Sequence, residues 1–166
     1  MSAAPLALAH RAGNDLARLE RAERAGVDLV ELDVHVRAGR LEVRHAKRLG
    51  PLPVHWEGRR LVGPAAGRLV LADVLAAARP ATRLLLDLKG IDPRLPRALE
   101  RGLADVDPRR ILLCSRTWPL VDRVRTPGVG RLLSARSPAE LRRLLRRLAR
   151  RPADGVSVHA ELLEPA

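Results

Sequence analysis

The stretch that decides the fold is residues 27–36, which read VDLVELDVHV. Valine and leucine dominate it, and a short run rich in β-branched residues is typical of a buried strand. Glu31 and Asp33 lie two residues apart. Side chains at positions i and i+2 of a strand share one face, so both carboxylates point the same way and Leu32 and Val34 point the other way. A buried strand with a paired acidic face is therefore the first prediction.

Short apolar runs and longer amphipathic runs alternate along the whole chain. Predicted strands cover residues 6–9, 27–36, 83–88, 111–115, 129–134 and 155–158. Predicted helices cover residues 15–25, 69–79, 95–104, 119–125 and 137–151. Repeated strand–helix units imply a parallel sheet with helices outside it. Because no Gly-x-Gly-x-x-Gly follows the first strand and there is no P-loop, a (β/α) barrel or an open doubly wound sheet remains.

Two segments interrupt this alternation. Residues 41–44 read as a short extended piece that ends at His45. Residues 46–68 hold three prolines and four glycines, and we expect a long loop there, with His55 beside Trp56. Loops of that length in compact domains are often functional.

Length and composition narrow the class of protein. The chain has 166 residues, which predicts a single domain over residues 1–166. Trp56 and Trp118 are the only aromatic residues, which disfavours nucleic-acid modules that stack bases on aromatic platforms. One cysteine, Cys114, excludes a disulfide framework and a cysteine-rich zinc site.

The charge balance is strongly basic, with a formal net charge of +12. Lys47 and Lys89 are the only lysines, so almost all the excess is arginine. Either an anionic partner or an arginine-rich coding bias accounts for this excess of positive charge. Helix 137–151 is basic on one face, which suits an outer barrel helix as well as a helix that binds acidic partners. No targeting segment or apolar run of membrane-spanning length is apparent, so we expect a cytoplasmic protein.

Polar residues gather where neighbouring predicted strands end. His10 and Arg11 follow the first predicted strand. Asp87 and Lys89, at the end of the third predicted strand, lie two residues apart, which is the spacing of Glu31 and Asp33 in the second. Functional residues of parallel strand–helix folds lie at the carboxyl ends of the strands. These side chains are therefore expected on one inner surface.

Three of them are carboxylates: Glu31, Asp33 and Asp87. Buried carboxylates are costly unless they are paired or bind a cation. Their convergence predicts a site for a hard divalent ion, Mg²⁺ or Ca²⁺. The alternative is an internal ion network with Arg11 or Lys89.

Histidines and cations surround this cluster. His10 and His45 are candidates for acid and base, because imidazole titrates near neutral pH. Arg11 and Lys89 are candidates for holding a phosphate. His35 lies on the same strand face as Glu31 and Asp33. The simpler interpretation is that neighbouring residues satisfy its hydrogen-bonding groups and that it has no role in the site.

Four stretches together resemble the glycerophosphodiester phosphodiesterase family. They are AHRAGN at 9–14, AGVDLVELDV at 25–34, GRLEVRH at 39–45 and LDLK at 86–89. Weaker similarity reaches DGVSVH at 154–159. The resemblance implies a TIM barrel of the phospholipase-C-like phosphodiesterase type. It also implies metal-dependent hydrolysis of a glycerophosphodiester to glycerol phosphate and an alcohol, as in phospholipid head-group metabolism.

The resemblance also assigns roles to the candidate residues. Glu31, Asp33 and Asp87 would hold a divalent cation (Mg²⁺ or Ca²⁺), His10 and His45 would be the acid/base pair, and Arg11 and Lys89 would contact the substrate phosphate. The partner would be a small glycerophosphodiester, with neither nucleic acid nor stable membrane insertion. The alternative is a catalytically degenerate domain that binds phosphate-bearing ligands or a protein partner without turnover.

The sequence departs from the family pattern at several places. Ala12 replaces a glycine, Ala46 replaces the aspartate after the histidine, and Asp87 stands where glutamate is common. A barrel normally needs eight units, so the fold expected is a C-terminally short barrel of about six units. An open barrel edge predicts a homo-oligomer that covers it.

Overall fold

The computed structural model describes residues 5–45, 47–48, 55–57, 60–62 and 69–163. The strands within these residues are β1 (Leu8–Ala9), β2 (Leu29–Arg37), β3 (Arg40–Val43), β4 (Lys47–Arg48), β5 (His55–Glu57), β6 (Arg60–Val62), β7 (Leu84–Leu88), β8 (Ile111–Ser115), β9 (Gly130–Ala135) and β10 (Gly155–Val158). The α-helices are α1 (Leu16–Arg24), α2 (Leu71–Ala77), α3 (Leu95–Gly102), α4 (Trp118–Arg123) and α5 (Pro138–Arg150). Short 3₁₀ helices cover Ala12–Asn14, Pro108–Arg110 and Ala160–Leu162.

Six parallel strands form the main sheet, in the order β1-β2-β7-β8-β9-β10. This spatial order follows the chain order, so the sheet has no point at which the winding direction reverses, unlike a doubly wound sheet. The sheet curls into half of a barrel with helices alternating between its strands. The prediction of a TIM-barrel-like α/β fold with six strand–helix units is therefore confirmed.

A hairpin extends the second strand. β3 pairs antiparallel with the end of β2, with Val34 opposite Val43 and Arg37 opposite Arg40. The two-residue turn has positive φ at both positions, 46° at Ala38 and 79° at Gly39. That geometry matches the twist of the flanking strands.

The prediction of a long loop at 46–68 is wrong for the residues that the structure describes there. β4, β5 and β6 form a separate three-stranded antiparallel sheet. Prolines and glycines indicate turns, but they do not exclude short strands between those turns. Ala46 and the side chains of His55 and Trp56 lie outside the described part.

Aliphatic side chains make the core, as the near-absence of aromatic residues requires. The largest fully buried ones are mostly leucines that join the sheet to its helices, among them Leu19, Leu32, Leu84, Leu86, Leu88, Leu99, Leu113 and Leu120. Two of the helices have a side-chain cap at the N-terminus. The Asp15 side chain accepts a hydrogen bond from the Arg18 N–H, and the Ser137 side chain accepts one from the Glu140 N–H. In the described part of the chain, no helix is long and apolar enough to cross a membrane.

Candidate active site

The carboxylate cluster is formed by the pairing of β2 with β7. Asp33 lies opposite Asp87 in the parallel register, and Glu31 precedes Asp33 by two residues on the same face. One carboxylate oxygen from each residue lies within 4.8 Å of the other two. The structure thus brings together the three acids that the sequence analysis singles out.

Burial makes this cluster electrostatically costly. Asp33 is fully buried and Glu31 nearly so. Burial and the neighbouring Asp33 charge raise the pKa of Glu31 to about 7, against a lowering by the hydrogen bond from the Arg11 N–H. Burial also raises the pKa of Asp87, although Lys89 opposes this. Like charges out of water favour proton uptake or a bound cation.

Lys89 lies between two of these acids. Its Nζ is 2.8 Å from Asp33 Oδ1 and also contacts Asp87 Oδ2. Burial alone lowers the pKa of Lys89, but its hydrogen bonds to Asp33 and Asp87 outweigh that effect and raise it. Lys89 thus forms an ion network with Asp33, as the alternative interpretation of the cluster has it, and with Asp87, but it makes no ion pair with Glu31 among the described residues.

The turn after β1 approaches β2 closely at Gly13. A Cβ placed on Gly13 would lie 2.8 Å from Leu32 Cβ and 3.2 Å from the Glu31 carbonyl oxygen, so glycine alone fits without displacement. Arg11 adopts the left-handed conformation, with φ of 57°. Its backbone N–H donates to Glu31 Oε2 at 2.6 Å. The motif AHRAGN thus places its backbone against the acidic strand.

Asn14 completes this junction. Its Nδ2 donates to Asp33 Oδ2 at 2.7 Å, and its Oδ1 accepts from the Asp33 N–H at 2.8 Å. The sequence analysis quotes Asn14 within the motif but assigns it no role. Its position in the sequence near His10 and Arg11 is the feature that could have indicated a role for Asn14.

Arg11 also lies near the acids through its side chain. The guanidinium Nε is 3.9 Å from Asp33 Oδ2. This Nε is buried and makes no hydrogen bond to any described residue.

The two candidate acid/base histidines flank the cluster from different elements. His10 is largely exposed, and its Nε2 lies 3.9 Å from Glu31 Oε2. Partial burial and the Arg11 charge lower the pKa of His10, which keeps it neutral near pH 7. His45 follows β3 and is half-buried. His45 lies close enough to His10 for a charge on one imidazole to act on the other.

His35 is the third histidine of this region. Burial and the nearby Arg44 charge lower the pKa of His35 to about 4. Its Nε2 is buried with no hydrogen bond to any residue that the structure describes. The prediction that neighbouring residues satisfy the hydrogen-bonding groups of His35 is therefore not met at Nε2.

Three other polar residues lie near the ends of the parallel strands. Ser115 Oγ donates to the Leu88 carbonyl at 2.7 Å and accepts from the Thr117 N–H, so β8 is fastened to β7 just before Lys89. Cys114 is buried, as expected for a core residue, and burial raises its pKa to about 11. His159 is exposed and pairs with Glu161 at 3.5 Å, away from these acids along the sheet.

The donor set suits a divalent cation. Three carboxylate oxygens converge from two adjacent strands, and oxygen donors are the ligands that Mg²⁺ and Ca²⁺ prefer. Burial raises the pKa of Glu31 and of Asp87, and a bound cation would stabilise the charged form of both carboxylates. The cluster is thus compatible with a divalent ion of either kind.

Solved structures share this fold. A phosphodiesterase from Oleispira antarctica, in complex with the product sn-glycerol-3-phosphate, aligns with a TM-score of 0.72 at 19% identity, over 96% of this chain and 77% of that protein. A glycerophosphodiester phosphodiesterase from Thermotoga maritima aligns with a TM-score of 0.67 at 17% identity, over 95% of this chain and 75% of that protein.

No family model and no curated protein matches the sequence. At these identities the likeness is one of fold. The chain therefore has the α/β barrel-like fold of glycerophosphodiester phosphodiesterases, which supports the family resemblance seen in its motifs.

Proposed function

We propose that this protein hydrolyses a glycerophosphodiester to glycerol phosphate and an alcohol, with a divalent cation bound by Glu31, Asp33 and Asp87. The observation that carries the proposal is the convergence of these acids with His10, on the face of a fold shared with such enzymes. A divalent cation bound there would offset negative charge on the phosphoryl oxygens.

The acids act as a preorganised ligand set. Asn14 orients Asp33 through two hydrogen bonds, and the Arg11 N–H orients Glu31. A site whose ligands are held by surrounding hydrogen bonds binds a metal better than one whose ligands must be reorganised. The same contacts hold Glu31 and Asp33 together despite their mutual repulsion.

The cations provide the phosphate contacts. Arg11 Nε has no hydrogen-bond partner among the described residues and lies beside the acidic cluster. Lys89 is about one third exposed, so its ammonium can also reach an anion at the mouth of the site. Positive groups aimed at the phosphoryl oxygens stabilise the charge that develops in the transition state.

The histidines move the protons. His10 is neutral near pH 7 because its pKa is lowered, so it can accept a proton from the attacking water or substrate hydroxyl. His45 would then protonate the leaving alkoxide. The alternative assignment exchanges these two roles, and it also predicts a loss of turnover in both the His10→Ala and the His45→Ala variants.

The comparison supports a proposal for the substrate class. The Oleispira antarctica enzyme holds sn-glycerol-3-phosphate as its product, and we infer that the present site takes a diester of the same glycerol phosphate. Such diesters arise when phospholipids lose their acyl chains, which would place the activity in lipid head-group metabolism.

The test is release of glycerol phosphate from a glycerophosphodiester by the purified chain with Mg²⁺ or Ca²⁺. We expect turnover that stops with a chelator and falls by about 10²-fold or more in His10→Ala and His45→Ala, the usual contribution of an acid or base. His159→Ala is the matched control, because His159 pairs with Glu161 and lies outside the cluster. It should leave turnover unchanged.

Absence of turnover with either ion would contradict the proposal. If the same preparation binds glycerol phosphate by calorimetry, the domain is instead a non-catalytic phosphate binder. Equal loss in His10→Ala and His159→Ala would show that the measured activity does not arise at this site.

A further inference from the structure

A basic groove lies between α4 and α5, on elements that the proposed function does not use. Its volume is about 400 Å³, and it is lined by Trp118, Arg143, Arg146, Arg147 and Arg150. That volume is in the range of small-molecule sites. One tryptophan and four arginines therefore line it.

The aromatic side of the groove is fixed in position. The indole Nε1 of Trp118 donates to the Ser134 carbonyl at 2.9 Å, which fastens the ring to β9. The Arg143 guanidinium carbon lies 5.7 Å from the centre of that ring. Stacking on an aromatic face holds a guanidinium in place while its in-plane N–H groups stay free to donate.

Arg147, which also lines the groove, has a partner of its own on α4. Its guanidinium lies 2.8 Å from Asp122 Oδ1 on α4, so its charge is already neutralised. By contrast, in the described part of the chain no aspartate or glutamate forms an ion pair with Arg143, Arg146 or Arg150. Three cations therefore share one side of the helix without a counter-charge.

The spacing of these three cations is unfavourable for the helix by itself. Arg143 and Arg146 are three residues apart, and Arg146 and Arg150 are four apart, so they are neighbours on the helix surface. Like charges at these spacings destabilise a helix. An anion bound among them would relieve that repulsion.

We propose that this groove binds a small soluble anion that carries two or more linked phosphate groups. The guanidinium fork matches the geometry of phosphate oxygens. Arg143, Arg146 and Arg150 together offer three positive charges without a counter-charge, which suits an anion with several negative phosphate groups better than one with a single phosphate. The inference is independent of the proposed hydrolysis, because no residue of the acidic cluster lines the groove.

The test is calorimetric titration of the full chain with inorganic tripolyphosphate at physiological ionic strength, which screens diffuse surface charge. We expect one site, bound at least about tenfold more tightly than inorganic phosphate. The double variant Arg146→Gln/Arg150→Gln should bind at least about tenfold more weakly, since one charged hydrogen bond is worth that much.

The matched control is Arg18→Gln/Arg21→Gln on α1, which removes the same charge from exposed positions. It should bind like the unchanged chain. A second readout is tryptophan fluorescence in a Trp56→Phe background, where Trp118 alone emits. Its change should saturate at the calorimetric Kd.

Three results would each overturn the proposal. The first is no binding of tripolyphosphate, and the second is equal weakening in both double variants, which indicates general charge attraction. The third is arginine-dependent binding to vesicles that contain anionic phospholipid, without binding of soluble tripolyphosphate. That result would make the groove a membrane contact.

Discussion

Asn14 and Asp33 are joined by two hydrogen bonds that run in opposite directions. The Asn14 amide donates to the Asp33 carboxylate at 2.7 Å and accepts from the Asp33 backbone at 2.8 Å. A residue of the first turn therefore fixes both the backbone and the side chain of the most buried acid. The proposed metal ligand is held by the segment that carries His10 and Arg11, so the two halves of the site are positioned together.

Replacing Asn14 tests this coupling. Asn14→Ala leaves the buried Asp33 N–H without its partner, and we expect the free energy of unfolding to fall by about 1–3 kcal/mol. Urea denaturation measures this loss, and calorimetry with Mg²⁺ or Ca²⁺ should show weaker binding because Asp33 loses its orientation. Asn14→Asp keeps the acceptor but adds a like charge beside Asp33. Its stability should recover when the ion is added, and unchanged stability in Asn14→Ala would contradict the coupling.

The pKa of Glu31 predicts how the stability of the metal-free protein depends on pH. Its ordinary value is 4.5, and the folded protein raises it to about 7. The folded state therefore binds the proton more tightly than the unfolded chain. The resulting stabilisation is complete below about pH 4.5 and is lost as the pH rises through about 7. We expect a decline of up to ~3 kcal/mol in the free energy of unfolding across this window.

Denaturation over a pH series measures that decline. Glu31→Gln should flatten it, because the amide does not titrate. Glu20→Gln, at an exposed position on α1, removes a charge of the same sign and should keep the slope. A saturating divalent cation should also flatten the profile of the unchanged chain. A decline as steep in Glu31→Gln as in the unchanged chain would assign it to other groups.

Lys89 compensates the charge of two acids, so its removal should expose their repulsion. Lys89→Met leaves Asp33 and Asp87 without the ammonium group, and we expect a loss of roughly 2 kcal/mol or more in the metal-free protein. Adding Mg²⁺ or Ca²⁺ should then raise the Tm of Lys89→Met more than that of the unchanged chain. Lys89→Arg keeps the charge and is the control. Equal gains in Lys89→Met and Lys89→Arg would contradict this role.

Gly13 sets how closely the first turn approaches β2. Gly13→Ala places a methyl group 2.8 Å from Leu32 Cβ, and we expect a loss of about 1–3 kcal/mol as overpacking displaces the turn. Gly155→Ala on β10 meets its nearest neighbour, Leu132, at 3.6 Å and should be well tolerated. Thermal denaturation compares the two variants. An equal effect would show that the approach at Gly13 is not restrictive.

Much of the fold follows from local pattern. The alternation within residues 27–36 predicts β2 and the shared face of Glu31 and Asp33. The same spacing at Asp87 predicts its place in the cluster, because parallel strands align their carboxyl ends. These inferences need only the two-residue period of a strand.

Contacts that depend on packing between distant segments lie beyond such patterns. The hydrogen bonds of Asn14 join residues nineteen positions apart, and nothing local to Asn14 specifies Asp33 as the partner. The double contact of Lys89 depends likewise on the register of β2 with β7. The strands β4 to β6 escape detection because two- and three-residue strands are too short for a periodic signal.

The hairpin of β2 and β3 determines where His45 lies relative to the main sheet. Its two-residue turn at Ala38 and Gly39 sets His35 opposite Glu42, and this offset determines which side of the sheet His45 reaches. One residue inserted in that turn would exchange the faces of everything after it, because strand side chains alternate. A change in the length of that turn would move His45 away from the proposed site, although every residue of that site would remain in the sequence.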